Sequence, residues 1–344
     1  MKAKRIILAI TSALVCLGGT SNLSAQTSGC DRGCLSGMVD ALLASMVAHR
    51  PETLPLTPVY TATENDHPAA LGMMTAWRAI TSAGKPSLIA IDAPAGQAYF
   101  ALNVSESGAT SVLFGRLKVA DRKISEIELY INRSRGDHGF SFSPEQLPAN
   151  YRKLMTPPPG RVKAPRAELV KLAGAAFDAS DPLQVKIADG CQFTELGWQV
   201  VDPGLDDVPP PATPAGMKPR DPNEPLGCLF PPFRPTDRKA RIVAIDEELG
   251  FVVVAGMVPG HVYPYPVGGR MLSAFIPDDM SQAGGEQAAW MDRHVKKGGA
   301  PIVSPAPATG ETMQVFQYYD GKMQASQINV FLGGAGMQSV WVKR

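Results

Sequence analysis

The sequence has no excess of charge of either sign. Its 33 Lys and Arg against 32 Asp and Glu leave a net charge of +1, too little to recognise nucleic acid or an anionic membrane electrostatically. Metal-ligand spacing is also missing. The five histidines, His49, His67, His138, His261 and His294, stand in no ligand pattern with one another or with cysteine, so no metal is expected. Cys30 and Cys34 are not separated as in a redox dithiol, which excludes that chemistry. No Gly-x-Ser-x-Gly elbow, phosphate loop or dinucleotide fingerprint falls in a strand–turn–helix context. Nucleotide enzymes and serine hydrolases are thereby excluded, and no cofactor is expected.

Only one apolar run is long, residues 6–17, and it is too short to cross a bilayer. Lys2, Lys4 and Arg5 precede it, and the small-residue exit Leu23-Ser24-Ala25 comes after it. Residues 1–26 therefore read as a secretory signal cleaved near Gln26, giving a secreted or periplasmic protein with no membrane attachment afterwards. Four cysteines remain: Cys30, Cys34, Cys191 and Cys228. In an exported chain these predict two disulfides. Three pairings are open, of which Cys30 with Cys34 and Cys191 with Cys228 is the most local. The mature chain is long enough for two modest cores.

The chain does contain a unit that occurs twice. Pro51 and Thr63-Glu64 recur as Pro182 and Thr194-Glu195. Ile89-Ala90-Ile91-Asp92 with Gly96 recurs as Val243-Ala244-Ile245-Asp246 with Gly250. Asp121-Arg122-Lys123-Ile124 with Glu128 recurs as Asp320-Gly321-Lys322-Met323 with Gln327. Order is kept while the offset grows, as duplication and later insertions in the second copy would leave it.

The first unit, 27–134, opens on a helical stripe of Leu35, Met38, Val39, Leu42, Leu43, Met46 and Val47. Next come a short strand over 59–63, a helix over 69–80 carrying Trp77, and strands over 88–92, 97–104, 111–119 and 123–131, the last two joined at Asp121-Arg122. Residues 135–164, with Pro157-Pro158-Pro159-Gly160, read as a linker. The second unit, 165–344, repeats the plan from the stripe Leu169, Leu172, Ala173, Ala176, Phe177 to strands over 240–246 and 251–257 and a final hairpin at Asp320-Gly321. Insertions are placed at 203–235 and 277–309. The class is α+β, helices on a curved antiparallel meander.

This order resembles the cone-shaped nuclear transport factor 2-like fold, including the SnoaL-like polyketide cyclases. Cys30-Asp31-Arg32-Gly33-Cys34-Leu35, Val47-Ala48-His49, Leu54-Pro55-Leu56, Thr63-Glu64-Asn65, Arg116-Leu117-Lys118-Val119 and the closing Gly336-Met337-Gln338-Ser339-Val340-Trp341 resemble a secreted two-domain family of fungi and bacteria whose function is not known. The resemblance implies two tandem SnoaL-like units. It also implies acids where this chain has Gln314 and Gln327, which departs from the pattern in the second unit.

Cone-shaped folds enclose an apolar pocket with a few orienting polar groups. Glu64 and Glu195 are candidate general bases, weighed against a role tying the strand to backbone amides. Asp92 and Asp246 are expected to bond turn amides. Glu128 is a further acid–base candidate, with Glu126 leaning to solvent. Tyr130 shares the face of Glu126 and Glu128, away from Ile127 and Leu129. Pairing around Asp320-Gly321 puts Gln314 across from Gln327, and Arg116 is expected to project with Phe114 and Ile127, able to hold a carboxylate. His261 resembles a histidine position in the family's second unit and suits proton transfer, with Tyr263 beside it. Trp77 and Trp198 are candidate pocket walls. The expected activity is that of a cofactor-free lyase, isomerase or hydratase on a small hydrophobic molecule, aromatic or polyketide-like. A non-catalytic binding module, and an interaction module or homo-oligomer built on the sheet faces, are the alternatives.

Overall fold

The computed structural model describes residues 29–133, 142–176, 185–199, 227–228, 240–267, 270–278, 289 and 305–342. The expected signal segment and most of both expected insertions lie outside the described residues, as do Phe177 and Pro182. Among the described residues no helix is long and apolar enough to cross a membrane.

The first helix, α1 (Arg32–Val47), forms where the stripe predicts. Asp31 caps it by accepting from the Cys34 amide at 2.8 Å. Leu35, Val39, Leu42, Leu43 and Met46 are buried on one face. They pack on a sheet built from β1 (Leu56–Glu64), β2 (His67–Pro68), β3 (Ile80–Ala83), β4 (Leu88–Asp92), β5 (Gln97–Glu106), β6 (Ala109–Ala120) and β7 (Lys123–Asn132). The expected helix around Trp77 is shorter, α2 (Thr75–Ala79), because the chain turns directly into β3.

After β7 comes α3 (Leu147–Arg152), within the stretch read as linker, and then α4 (Arg166–Ala175). The second sheet holds β8 (Ile187–Glu195), β9 (Trp198–Gln199), β10 (Ala240–Asp246), β11 (Phe251–Val267), β12 (Arg270–Pro277), β13 (Ala306–Tyr319) and β14 (Lys322–Gly334). The two sheets share one order. The first runs β2-β1-β7-β6-β5 with β4 on β5, and the second runs β9-β8-β14-β13-β11-β10. Register agrees too, since Thr63 stands beside Glu128 and Thr194 beside Gln327. Both sheets are mixed rather than antiparallel meanders, because β1 pairs β7 and β8 pairs β14 in parallel. The architecture is α+β.

Strand alternation produces three apolar layers. One face of the first sheet meets α1, through Phe100, Leu113, Leu117, Ile127 and Leu129. One face of the second meets α4, through Val252, Val254 and Phe316. The remaining faces pack on each other: Tyr99, Phe114 and Tyr130 share a buried cluster with Val253, Met313 and Val315. Leu147, Tyr151 and Leu154 belong to this middle layer, so part of the supposed linker is core.

The turn after β4 and its counterpart after β10 join the halves. Asp92 accepts from the Ala95 amide within its own turn at 3.2 Å. Its other oxygen accepts from the Ile245 amide at 2.9 Å and from Arg166 at 2.8 Å. Asp246 mirrors this: one oxygen takes the Glu248 and Leu249 amides, each at 3.1 Å, and meets Arg32. Its other oxygen takes the Ile91 amide at 2.9 Å. Gly96 and Gly250 end these turns at φ +63° and +75°, where a Cβ would stand 2.5 Å from the Val119 carbonyl oxygen and 2.4 Å from that of Tyr318. Only glycine fits such a position. The disulfides pair Cys30 with Cys34 and Cys191 with Cys228. Both are consistent with an oxidising location.

Asp92 and Asp246 are 2% and 0% exposed. Replacing either with alanine leaves buried amides without an acceptor and removes one carboxylate from an arginine that keeps its exposed glutamate, Glu247 or Glu248, so each of Asp92→Ala and Asp246→Ala should cost about 2–4 kcal/mol in urea unfolding. The double variant should cost less than the sum, because both act on one contact.

Candidate functional site

The polar centre of the middle layer grows from a hairpin irregularity. Asp121 and Arg122 turn β6 into β7 with positive φ, 50° and 58°. The register then slips by one between Lys118 and Val119, so Arg116 faces Glu128. A one-residue slip exchanges faces. Arg116 therefore projects with Phe114, as expected, but with Glu128 in place of Ile127. A slip between Gln317 and Tyr318 does the same in the second hairpin, setting Gln314 across from Ile328 and Val315 across from Gln327. The expected Gln314–Gln327 pair does not form, for the same reason.

Glu128 is fully buried. One oxygen accepts from Arg116 at 2.5 Å; the other accepts from Tyr130 at 2.9 Å and from Arg241, on β10 of the other sheet. Arg116 also donates to Glu126 at 2.6 Å, and the Trp341 ring lies over its guanidinium at 4.5 Å. Glu311, on β13, stands 3.9 Å from Arg241. Ser339 reaches Asp66 at 3.1 Å and Glu311 at 3.3 Å, while the Trp341 indole donates to Thr63 at 3.0 Å. Residues 335–342 thus form a strap over the cluster.

Three buried acids, Asp66, Glu128 and Glu311, share this space with two arginines, Arg116 and Arg241. Burial pushes the Glu311 carboxyl up to about 8, with Glu128 and Asp66 adding repulsion. Burial also raises Asp66, and its hydrogen bond to Glu311 opposes that rise. A bond between two carboxyl groups requires a proton on one of them. Asp66 Oδ2 and Glu311 Oε2 are buried and, among the described residues, neither has a hydrogen-bond partner. Asp66 and Glu311 are therefore the two carboxyl groups of the cluster that burial shifts toward the protonated form.

The remaining candidates lie elsewhere. Both oxygens of Glu64 are taken by the first amides of α2, Thr75 at 2.9 Å and Ala76 at 2.7 Å, which is the strand-tying arrangement. Trp77 is core: its indole donates to Ser45 at 3.0 Å. Glu195 and Trp198 are register partners across β8 and β9, both half-buried. His261 pairs with Asp278 at 2.8 Å on the outer reach of β11, with Tyr263 nearby; neither enters the cluster. Tyr130 does, stacked on Phe114 at 5.1 Å. Gln327 is wholly buried in the second unit and Gln314 lies, by strand alternation, on the α4 side with Phe316; among the described residues neither amide atom of Gln327 and not the Oε1 of Gln314 has a hydrogen-bond partner. Sequence reasoning misses Asp66, Arg241, Glu311, Ser339 and Trp341 as site residues. Ser339 and Trp341 do fall in the closing stretch that carries the family resemblance, which is the one available signal.

No family model matches the chain, and no curated protein matches it. Among the described residues no group of three or more His, Cys, Asp or Glu side chains is arranged to hold a metal ion. The carboxyl groups and guanidinium ions of the cluster are suited to proton transfer and anion binding.

Glu311 binds its proton more tightly folded than unfolded. Its contribution is complete below the ordinary value of 4.5 and is lost as pH rises toward about 8. Across that window stability should fall with pH, by up to ~1.4 kcal/mol per unit for one proton. Glu311→Gln, which resembles the protonated acid, should flatten this slope in melting temperatures measured from pH 5 to 8.

Proposed function

We propose that the chain is a cofactor-independent acid–base catalyst, a lyase, isomerase or hydratase, working at the carboxylate cluster between its two sheets. What supports this reading is the burial of Glu311 beside Asp66 and Glu128, which pushes its carboxyl up to about 8. A group poised near neutrality can both give and take a proton. Glu311 is the acid and base, and Asp66 relays the proton. Arg116 and Arg241 hold a developing enolate or carboxylate oxygen. Phe114 and Phe331, each in ring contact with Tyr130, offer with it an aromatic wall suited to aromatic or polyketide-like compounds. The strap lifts to admit substrate and returns to exclude water. Secretion into an oxidising compartment fits the two disulfides, and tandem SnoaL-like units fit the repeated sheet order and the family resemblance.

A second reading is structural. Both oxygens of Glu128 are engaged by Arg116, Tyr130 and Arg241, as expected of an interaction module whose polar core fixes how two sheets dock.

The two readings part in an exchange experiment. A panel of small aromatic and aliphatic compounds bearing an enolisable carbonyl is incubated in deuterated buffer and read by NMR. The catalytic reading expects deuterium incorporation by the full chain, reduced about 100-fold or more in Glu311→Gln, and faster entry in Trp341→Ala. No incorporation above buffer across the panel, with Trp341→Ala equally inert, would leave only the structural reading.

A further inference from the structure

The second unit carries a separate opening. Where the chain leaves α3, residues 153–158 run across β8, β13 and β14 and enclose a cleft of about 320 Å³. That is the lower end of the size range for small-molecule sites. Its walls include Lys153, Pro158, Gln192, Gln199, Gln317 and Tyr319, with Gln324 beside them. Among the described residues no carboxylate lines it, and Lys153 is its one charged group.

The glutamines are held from behind. Gln192 donates to the Asn150 carbonyl at 3.0 Å, Gln317 to the Leu154 and Leu249 carbonyls at 2.9 and 3.0 Å, and Gln324 to that of Tyr319 at 3.0 Å. Each amide plane is thereby fixed. The Gln192 residue is 5% exposed and, among the described residues, its Oε1 has no hydrogen-bond partner. A buried acceptor without a donor is costly unless something supplies one. The lack of acids on the described walls, together with Lys153, disfavours a cationic donor and leaves a neutral one, and carboxamides, which both donate and accept, match hydroxyl groups, which do the same. The Pro157 and Pro158 rings on the same wall add apolar surface for the C–H face of such a molecule.

We infer that this cleft is a binding site for a neutral polyhydroxylated ligand, of the saccharide class, seated by Gln192 and its neighbouring carboxamides under Pro157 and Pro158. It is independent of the carboxylate cluster.

The test is an array of immobilised neutral and acidic oligosaccharides probed with the full chain, and then titration of the best binder. Binding of a neutral oligosaccharide is expected, weakened about fivefold to tenfold by Gln192→Leu. That variant also releases Asn150, so half-buried Gln199→Ala is titrated beside it and should weaken binding with an unchanged melting temperature. A blank array, or binding that both variants leave intact, overturns the inference. Selective capture of acidic sugars, abolished by Lys153→Ala, overturns the neutral class.

Discussion

The exchange of two aspartates between the halves is the contact on which everything else rests. Asp92 caps its own turn and holds an amide of the other sheet, and Asp246 does the same in return. A paired contact of this kind is self-complementary, like the interface of a two-fold dimer. Here both partners lie in one chain, so the association does not depend on concentration. With the turns locked, the inner sheet faces must pack on each other, and the polar residues on those faces have to find partners across the gap.

This explains why the carboxylate cluster is drawn from both units. Glu128 and Arg116 come from the first sheet, Arg241 and Glu311 from the second, and Ser339 from the strap. The duplicate of the cluster differs: Glu128 is matched by Gln327 and Asp66 by Gly197. At Gly197 a Cβ would meet the Leu147 side chain at 2.6 Å, because α3 sits where the strap sits in the other half. Tyr151 and Asn329 bond there at 3.0 Å. One copy has kept ionisable groups under a polar strap, and the other has filled the place with a helix.

Much of the fold was legible in the sequence. The edges of β4 and β10 fall where alternation put them, and so does the face of α1, because one-sided burial imposes a period that side chains report directly. The parallel pairing of β1 with β7 was not legible, since a strand's periodicity does not record the direction of its neighbour. The bulges near Ser125 and Gln324 were also invisible. Each adds one residue, and that alone moved Arg116 toward Glu128 and separated Gln314 from Gln327. The cluster itself leaves no local pattern. Asp66 and Glu311 lie far apart in the chain, and only the docking of two sheets makes them neighbours. Glu64 was conspicuous because it is repeated, yet repetition marked a helix cap.

Each unit is covered by the segment that trails the other. The residues after β7 lie over the second sheet through Asn150, Tyr151 and Leu154. The residues after β14 lie over the first through Ser339 and Trp341. A chain made from its N-terminus therefore finishes the first sheet long before anything can cover it. Glu128 and Arg116 wait, wet and mutually paired, until residues 335–342 arrive. Any product cut short before Ser339 would carry an open first half, so the arrival of the strap is recorded in the structure as the closing of its most polar interior.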